Sequence, residues 1–172
     1  MNDLVMTPNL RFTRPASRER LVRVAAALKQ NNIMAFVADS REATLTKVHE
    51  LIPRGAEVFT STSRTLDELG IAAELNEAGH HDAVRPKLLK MDRNTQHHEM
   101  RELGARPAYI IGSAHAVTDD GVVMVASMSG SQLGPYASGA AHVVWVVGAQ
   151  KIVKDIDEGL QRIEQYSLPR ED

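Results

Sequence analysis

The chain has 172 residues and 18.9 kDa, enough for one domain with a substantial core. Its 43% hydrophobic and 24% charged residues exclude a wholly disordered polypeptide. With no cysteine it can hold no disulfide, cysteine nucleophile, thiolate zinc site or cysteine-ligated iron–sulfur cluster, and it fits a reducing, cytoplasmic compartment.

Net charge is −2, pI about 6.4 and aromatic content 4%, which argues against a general nucleic-acid binder. Residues 1–54 carry nine Lys/Arg against five Asp/Glu, and residues 55–172 carry eleven against seventeen. We read the excess as a basic first helix facing solvent. No apolar run approaches the ~18 residues of a membrane span, and MNDLVMTPNLRFTRP lacks the apolar stretch of a signal peptide.

In chain order, residues 1–16 read as a poorly ordered arm broken by Pro8 and Pro15, followed by one domain over 17–172. Ser17 caps a helix whose buried stripe is Leu21, Val24, Ala25 and Leu28. The continuous apolar run Ile33 to Ala38 reads as a strand buried on both faces. Asp39 and Ser40 cap a second helix with Leu45, Val48 and Ile52 inward. Glu57 to Thr60 is a second strand, followed by a hydroxyl-rich turn. Thr65 to Glu68 is a capping box, with Thr65 at the cap, and its helix breaks at Gly70 and resumes through Ala72 and Leu75. Residues 79–90 read as a polar excursion, and Asp92 as the start of a polar helix. Ala108 to Ile111 and Val122 to Ala126 are strands joined by a loop with an Asp120-Gly121 turn. A small-residue helix runs to Ala141, His142 to Gly148 is the last strand, and a final helix turns Ile156, Leu160 and Ile163 to one side. The alternation predicts an α/β fold, a single three-layer α/β/α domain with a mainly parallel sheet of roughly five to seven strands.

Parallel sheets bind ligands beyond the carboxyl ends of their strands. The residues placed there are Ser61, Ser63 and Thr65, then Ser113, then Ser129, Gly130, Ser131 and Gln132, which are expected to line one crevice. The 129–132 turn ahead of a helix can cradle an anion through backbone amides, although it lacks the lysine of a P-loop. Arg93 carries a fork suited to a carboxylate or phosphate. No catalytic residue is assignable; the candidates are His115 as general base, with Thr118 and Asp120 beside it. The pairs His80-His81 and His97-His98 are the most metal-like groups, weighed against solvated surface histidines. No cofactor is evident.

From Asp92 onward the chain resembles the LUD (lactate utilisation) domain family. The resemblance rests on Asp92-Arg93-Asn94-Thr95-Gln96, on residues 111–121 (IGSAHAVTDDG), on 127–133 (SMSGSQL) and on 146–153 (VVGAQKIV). It covers about residues 18–168. It implies a fold similar to ribose-phosphate isomerases, CoA transferases and formyltetrahydrofolate cyclo-ligases. It also implies an accessory role in oxidising L-lactate to pyruvate, with a small anionic ligand or an iron–sulfur oxidoreductase as partner. The alternative is a stand-alone isomerase, transferase or cyclo-ligase acting on a small phosphorylated or carboxylate substrate. The chain ends where similar proteins often carry a further segment, so an edge strand supplied by a partner chain is part of the same expectation; a homo-oligomer is a separate expectation.

Overall fold

The computed structural model describes residues 7–171. These fall into two compact units, one of residues 38–113 and 127–146, the other of the remaining described segments 7–37, 114–126 and 147–171.

The first unit is built on a parallel sheet with strands β1 (Glu57–Thr60), β2 (Asp82–Ala83), β3 (Tyr109–Gly112) and β6 (His142–Trp145) in the order β2-β1-β3-β6. Strand parity sends alternate residues to opposite faces. Val58, Ile111 and Val144 meet Val48 and Ile52 of α2 (Arg41–Leu51) and its C-cap, Leu66 of α3 (Arg64–Glu68), and Ile71 and Leu75 of α4 (Ile71–Glu77). Phe59, Ile110 and Val143 pack on the other side against Val84 and Leu88 of α5 (Val84–Lys90) and Leu103 of α6 (His97–Ala105). The unit is therefore three layers, helices on both faces of an all-parallel sheet. Ser40 caps α2 by accepting from Ala43 N–H. The break at Gly70 is confirmed, with φ +71 between α3 and α4.

The polar excursion of 79–90 is instead β2 and α5, with Val84 fully buried. Residues 92–96 form a turn and not a helix start, for α6 begins at His97. Here Asp92 accepts from Asn94 N–H (2.9 Å) and Thr95 hydroxyl (2.9 Å), which close a local turn in competition with helix. Those bonds hold the Asp92 carboxyl below its usual range. The predicted helix to Ala141 is a five-residue π-turn, Pro135–Gly139.

The second unit holds the sheet β5-β4-β7, of β4 (Ala116–Thr118), β5 (Val123–Met124) and β7 (Ile152–Val153). The Asp120-Gly121 turn closes an antiparallel β4–β5 hairpin, so the run after residue 121 leaves the parallel sheet. Helix α1 (Arg18–Gln30) lays Val24 and Leu28 on Val117, Val123 and Ile152. Its basic residues are partly paired, Arg20 with Asp119 at 2.7 Å and Arg23 with Glu19 at 2.8 Å. Residues 33–38 form no ladder with the other described residues and alternate in exposure, Met34 being 77% and Phe36 53% exposed, so the predicted doubly buried strand is not seen. Helix α7 (Ile156–Arg162) also departs from its apolar pattern: Gly159 and Arg162 face inward while Ile156 and Leu160 are half exposed. Gly159 lets the helix close on Met124 and Ala116. Of the predicted arm, residues 1–6 lie outside the described residues; the rest carries a 3-10 turn, Leu10–Thr13, with Phe12 buried and Asn9 N–H bonded to Gln165 O (2.8 Å). Among the described residues no helix is long and apolar enough to cross a membrane.

Candidate functional site

The carboxyl edge of the parallel sheet gathers the polar groups of the first unit. Ser61 prolongs β1, donating its N–H to Ile111 O (2.9 Å). Parity puts its side chain on the Phe59 face, where Ser61 Oγ lies 2.7 Å from Tyr136 Oη. Tyr136 belongs to the π-turn, a geometry that recurs at functional sites, and its N–H donates to Gln132 O (3.1 Å). Burial raises the Tyr136 phenol above its ordinary value, with Ser61 acting in opposition, so the hydroxyl stays protonated at neutral pH. The Ser61–Tyr136 pair sits directly over Gly112: a Cβ there would overlap both oxygens and come within 3.0 Å of Tyr136 Cζ. Trp145, paired with Gly112 across β3 and β6, shares this face, its ring 5.6 Å from that of Tyr136 and tilted 58°.

Arg85, from the first turn of α5, reaches the same edge. Its Nε donates to Thr60 O (2.8 Å) and its Nη2 to Thr62 Oγ1 (2.8 Å). Burial pulls the guanidinium below its ordinary value and the Asp67 carboxylate pushes the other way, yet it remains a cation at any physiological pH. On the opposite face Thr60 and Asn76 exchange two hydrogen bonds of 3.0 and 2.9 Å. Ser113 Oγ is turned to the Val146 carbonyl at 2.6 Å.

The sequence-predicted residues divide accordingly. Ser61 and Ser113 lie at the strand ends, Ser61 in the hydroxyl pair and Ser113 on a backbone carbonyl. Ser63, and not Thr65, is the N-cap of α3, accepting from Leu66 N–H at 3.5 Å; Thr65 lies inside that helix. Ser129, Gly130 and Ser131 are exposed and Gln132 half-buried. Ser129 and Ser131 hydroxyls lie 3.0 Å apart, and the Gly130 amide, at φ +70, is already given to Ser127 Oγ (3.0 Å). The turn leads into only five π-helical residues, too few for a helix-terminus anion site. Arg93 is exposed on the 92–96 turn.

The other candidates belong to the second unit. His115 Nδ1 accepts from Ala126 N–H (3.2 Å), and burial, then the nearby Lys151, lower its pKa. Its neutral form must therefore carry the proton on Nε2, which makes it a donor and leaves no lone pair for the general base anticipated above. Thr118 Oγ1 accepts from Val122 N–H (2.9 Å) and donates to Asp120, so both residues tie the hairpin turn. Beneath them Arg162, 2% exposed, donates to the carbonyls of His115 and of Gln150 (3.3 Å), and burial pushes its pKa down to about 10.

The histidine pairs do not converge. His80 Nδ1 faces Arg54 Nη2 (2.8 Å), His98 faces Glu102 (3.4 Å) one turn along α6, and His97 is exposed. Both His81 ring nitrogens are shut off from solvent although the residue is only half-buried, and its pKa is lowered chiefly by desolvation. Among the described residues no three His, Asp or Glu side chains come together as a metal would require.

Arg85, Tyr136 and Trp145 were not among the predicted site residues. Tyr136 and Trp145 had a signal, since each stands close to a strand end in an aromatic-poor chain. Arg85 lies in the segment read from sequence as a polar excursion.

Comparison with curated proteins and comparison with solved structures each give no match. The family model of the LUD domain matches residues 21–172, nearly the whole chain. The alternating strands and helices, the parallel sheet and this match agree: the protein belongs to the LUD domain family.

Proposed function

We propose that the protein is an accessory component of lactate utilisation that binds a small carboxylate at the carboxyl edge of its parallel sheet. Membership in the LUD domain family supports the pathway. The observation that carries the ligand is Arg85: a half-buried guanidinium, oriented by Thr60 O and Thr62 Oγ1, at the edge where open parallel sheets receive ligands. A fork held through Nε and Nη2 does not have to be ordered again when an anion arrives, so more of the interaction energy appears as affinity. The chain has no cysteine to hold a cluster; on this reading the electrons of lactate oxidation are taken by an iron–sulfur oxidoreductase partner in the cytoplasm.

Isothermal titration calorimetry with L-lactate and pyruvate tests this reading. Both acids should bind, and Arg85→Ala should weaken them about 10- to 100-fold, the ~1.5–3 kcal/mol of a hydrogen bond to a charged group. Wild-type protein that binds neither acid refutes it.

A further inference from the structure

Trp145 supplies a donor that the fold itself does not use. Its Nε1 is shut off from solvent and has no hydrogen-bond partner among the described residues. An indole N–H left so usually finds a partner, because the unmet bond costs about 1–3 kcal/mol. A group kept in that condition at a ligand-binding edge is ready to meet an acceptor.

Three placements say where that acceptor would stand. Trp145 is the last residue of β6, at the carboxyl edge of the sheet. It pairs in register with Gly112, so their backbones are ~4.8 Å apart. Above Gly112 the Ser61 and Tyr136 hydroxyls are 2.7 Å from each other, and two hydroxyls sharing one hydrogen leave a second one to give. The edge therefore holds the Arg85 cation over β1, a hydroxyl pair over β1 and β3, and an indole donor on β6. A simple carboxylate occupies the first of these and leaves the indole unmet.

We propose that Trp145 is a specificity-determining residue, its indole N–H donating to a second oxygen, a hydroxyl or oxo group, on the acid that Arg85 holds. This rests on the carboxylate reading above and adds the substrate class: oxygen-bearing acids are preferred over plain ones. The rival use of the N–H is the face of the Tyr136 ring, whose centroid lies 5.6 Å from that of the indole at an interplanar angle of 58°.

Trp145 is the chain's one tryptophan, so its indole gives a single resonance in a nitrogen–proton spectrum. The full chain is titrated with L-lactate, pyruvate and propionate, which lacks the second oxygen, by calorimetry and by that resonance. Lactate and pyruvate should move the signal and bind about threefold to tenfold more tightly than propionate, the scale of one neutral hydrogen bond. Trp145→Phe, which keeps an aromatic ring, should bind all three acids equally, at the wild-type affinity for propionate. Calorimetric binding of lactate with the indole signal unmoved overturns the Trp145 assignment and leaves the carboxylate reading standing. So does a propionate shift as large as that of lactate. No heat from any of the three acids refutes the carboxylate reading itself and this inference with it.

Discussion

Gly112→Ala puts the smallest side chain into the most crowded point of the site. Gly112 has no positive φ, so backbone conformation does not require glycine there; only space does. The added methyl would overlap Tyr136 Oη and Ser61 Oγ and press on Tyr136 Cζ at 3.0 Å. Ser61 can change rotamer, but the tyrosine ring has to be displaced with its turn. Overpacking of this kind costs ~1–3 kcal/mol. Losing the Ser61–Tyr136 bond adds ~0.5–1.5 kcal/mol. Replacing a strand glycine by alanine returns ~0.5–1 kcal/mol of chain entropy. The net expectation is a loss of about 0.5–4 kcal/mol, centred on ~2 kcal/mol, read by urea unfolding through Trp145 fluorescence with circular dichroism as a second probe. Tyr136→Phe deletes the oxygen that the methyl strikes. The Gly112→Ala/Tyr136→Phe pair should therefore be more stable than the sum of its singles by at least ~1 kcal/mol. Gly112→Ala within ~0.5 kcal/mol of wild type, or additive singles, refutes the argument that Gly112 is there to admit the Tyr136 hydroxyl.

The Arg85→Ala and Trp145→Phe titrations test ligand binding. Gly159→Ala contrasts with Gly112→Ala: its methyl overlaps Sδ of the flexible Met124 side chain, which has to turn away, with Met124 Cε at 3.0 Å and Ala116 Cβ at 3.5 Å, and it gains ~1 kcal/mol of helix propensity. Its unfolding free energy should stay within about 1 kcal/mol of wild type, and a loss as large as that of Gly112→Ala would show that Met124 cannot yield. For pH dependence, the folded-state pKa of His115 lies below its unfolded value of about 6.5. The unfolded chain takes the proton first, so the stability His115 contributes is full above pH ~6.5 and is lost as pH falls through the lower folded value. His115→Asn keeps an acceptor for Ala126 N–H without titrating, so unfolding curves between pH 5 and 7 should be flatter than wild type; an unchanged slope refutes it.

The parallel core was legible because its signals were local and redundant. Ser40 ahead of Leu45, Val48 and Ile52 gives a cap and a stripe at helical period, and both are observed. The runs read as strands at 57–60, 108–111 and 142–148 are short, mostly apolar and bounded by turns, as strands covered on both faces must be, and the observed strands 57–60, 109–112 and 142–145 fall within a residue of them at their starts. The failures came where apolarity and burial part company. Residues 33–38 are as apolar as a central strand, but apolarity cannot say whether a neighbour offers a ladder, and none is formed among the described residues. In helix α7 the apolar side, with Ile156 and Leu160, is half exposed, while the inward side holds a glycine and an arginine. Gly159 is there for close approach to Met124, and Arg162 is tolerated because the His115 and Gln150 carbonyls accept hydrogen bonds from its guanidinium.

For the site, the sequence pointed to the carboxyl edge of the sheet, and several of the polar side chains it placed there or nearby bond adjacent backbone, for one physical reason. Ser63, Asp92, Ser113 and Thr118 are short, and a short polar side chain is always within reach of nearby backbone. Ser63 caps α3, Asp92 and Thr118 close turns, and Ser113 holds a carbonyl. Such residues concentrate at strand ends because chain reversals need them there, so their presence marks the edge without marking a ligand. Arg85, Tyr136 and Trp145 are long or flat, and their polar atoms stand far from their own backbone. Each reaches the edge from a different element: Arg85 from α5, Tyr136 from the π-turn, Trp145 from β6. What makes Arg85 and Tyr136 candidates is therefore a relation between elements, fixed by the order β2-β1-β3-β6, which places α5 and the π-turn on one face of β1 and β3. Of the hydroxyls read from sequence, Ser61 alone joins them, because parity after Thr60 turns it to that face and Gly112 leaves room for the Tyr136 oxygen beside it.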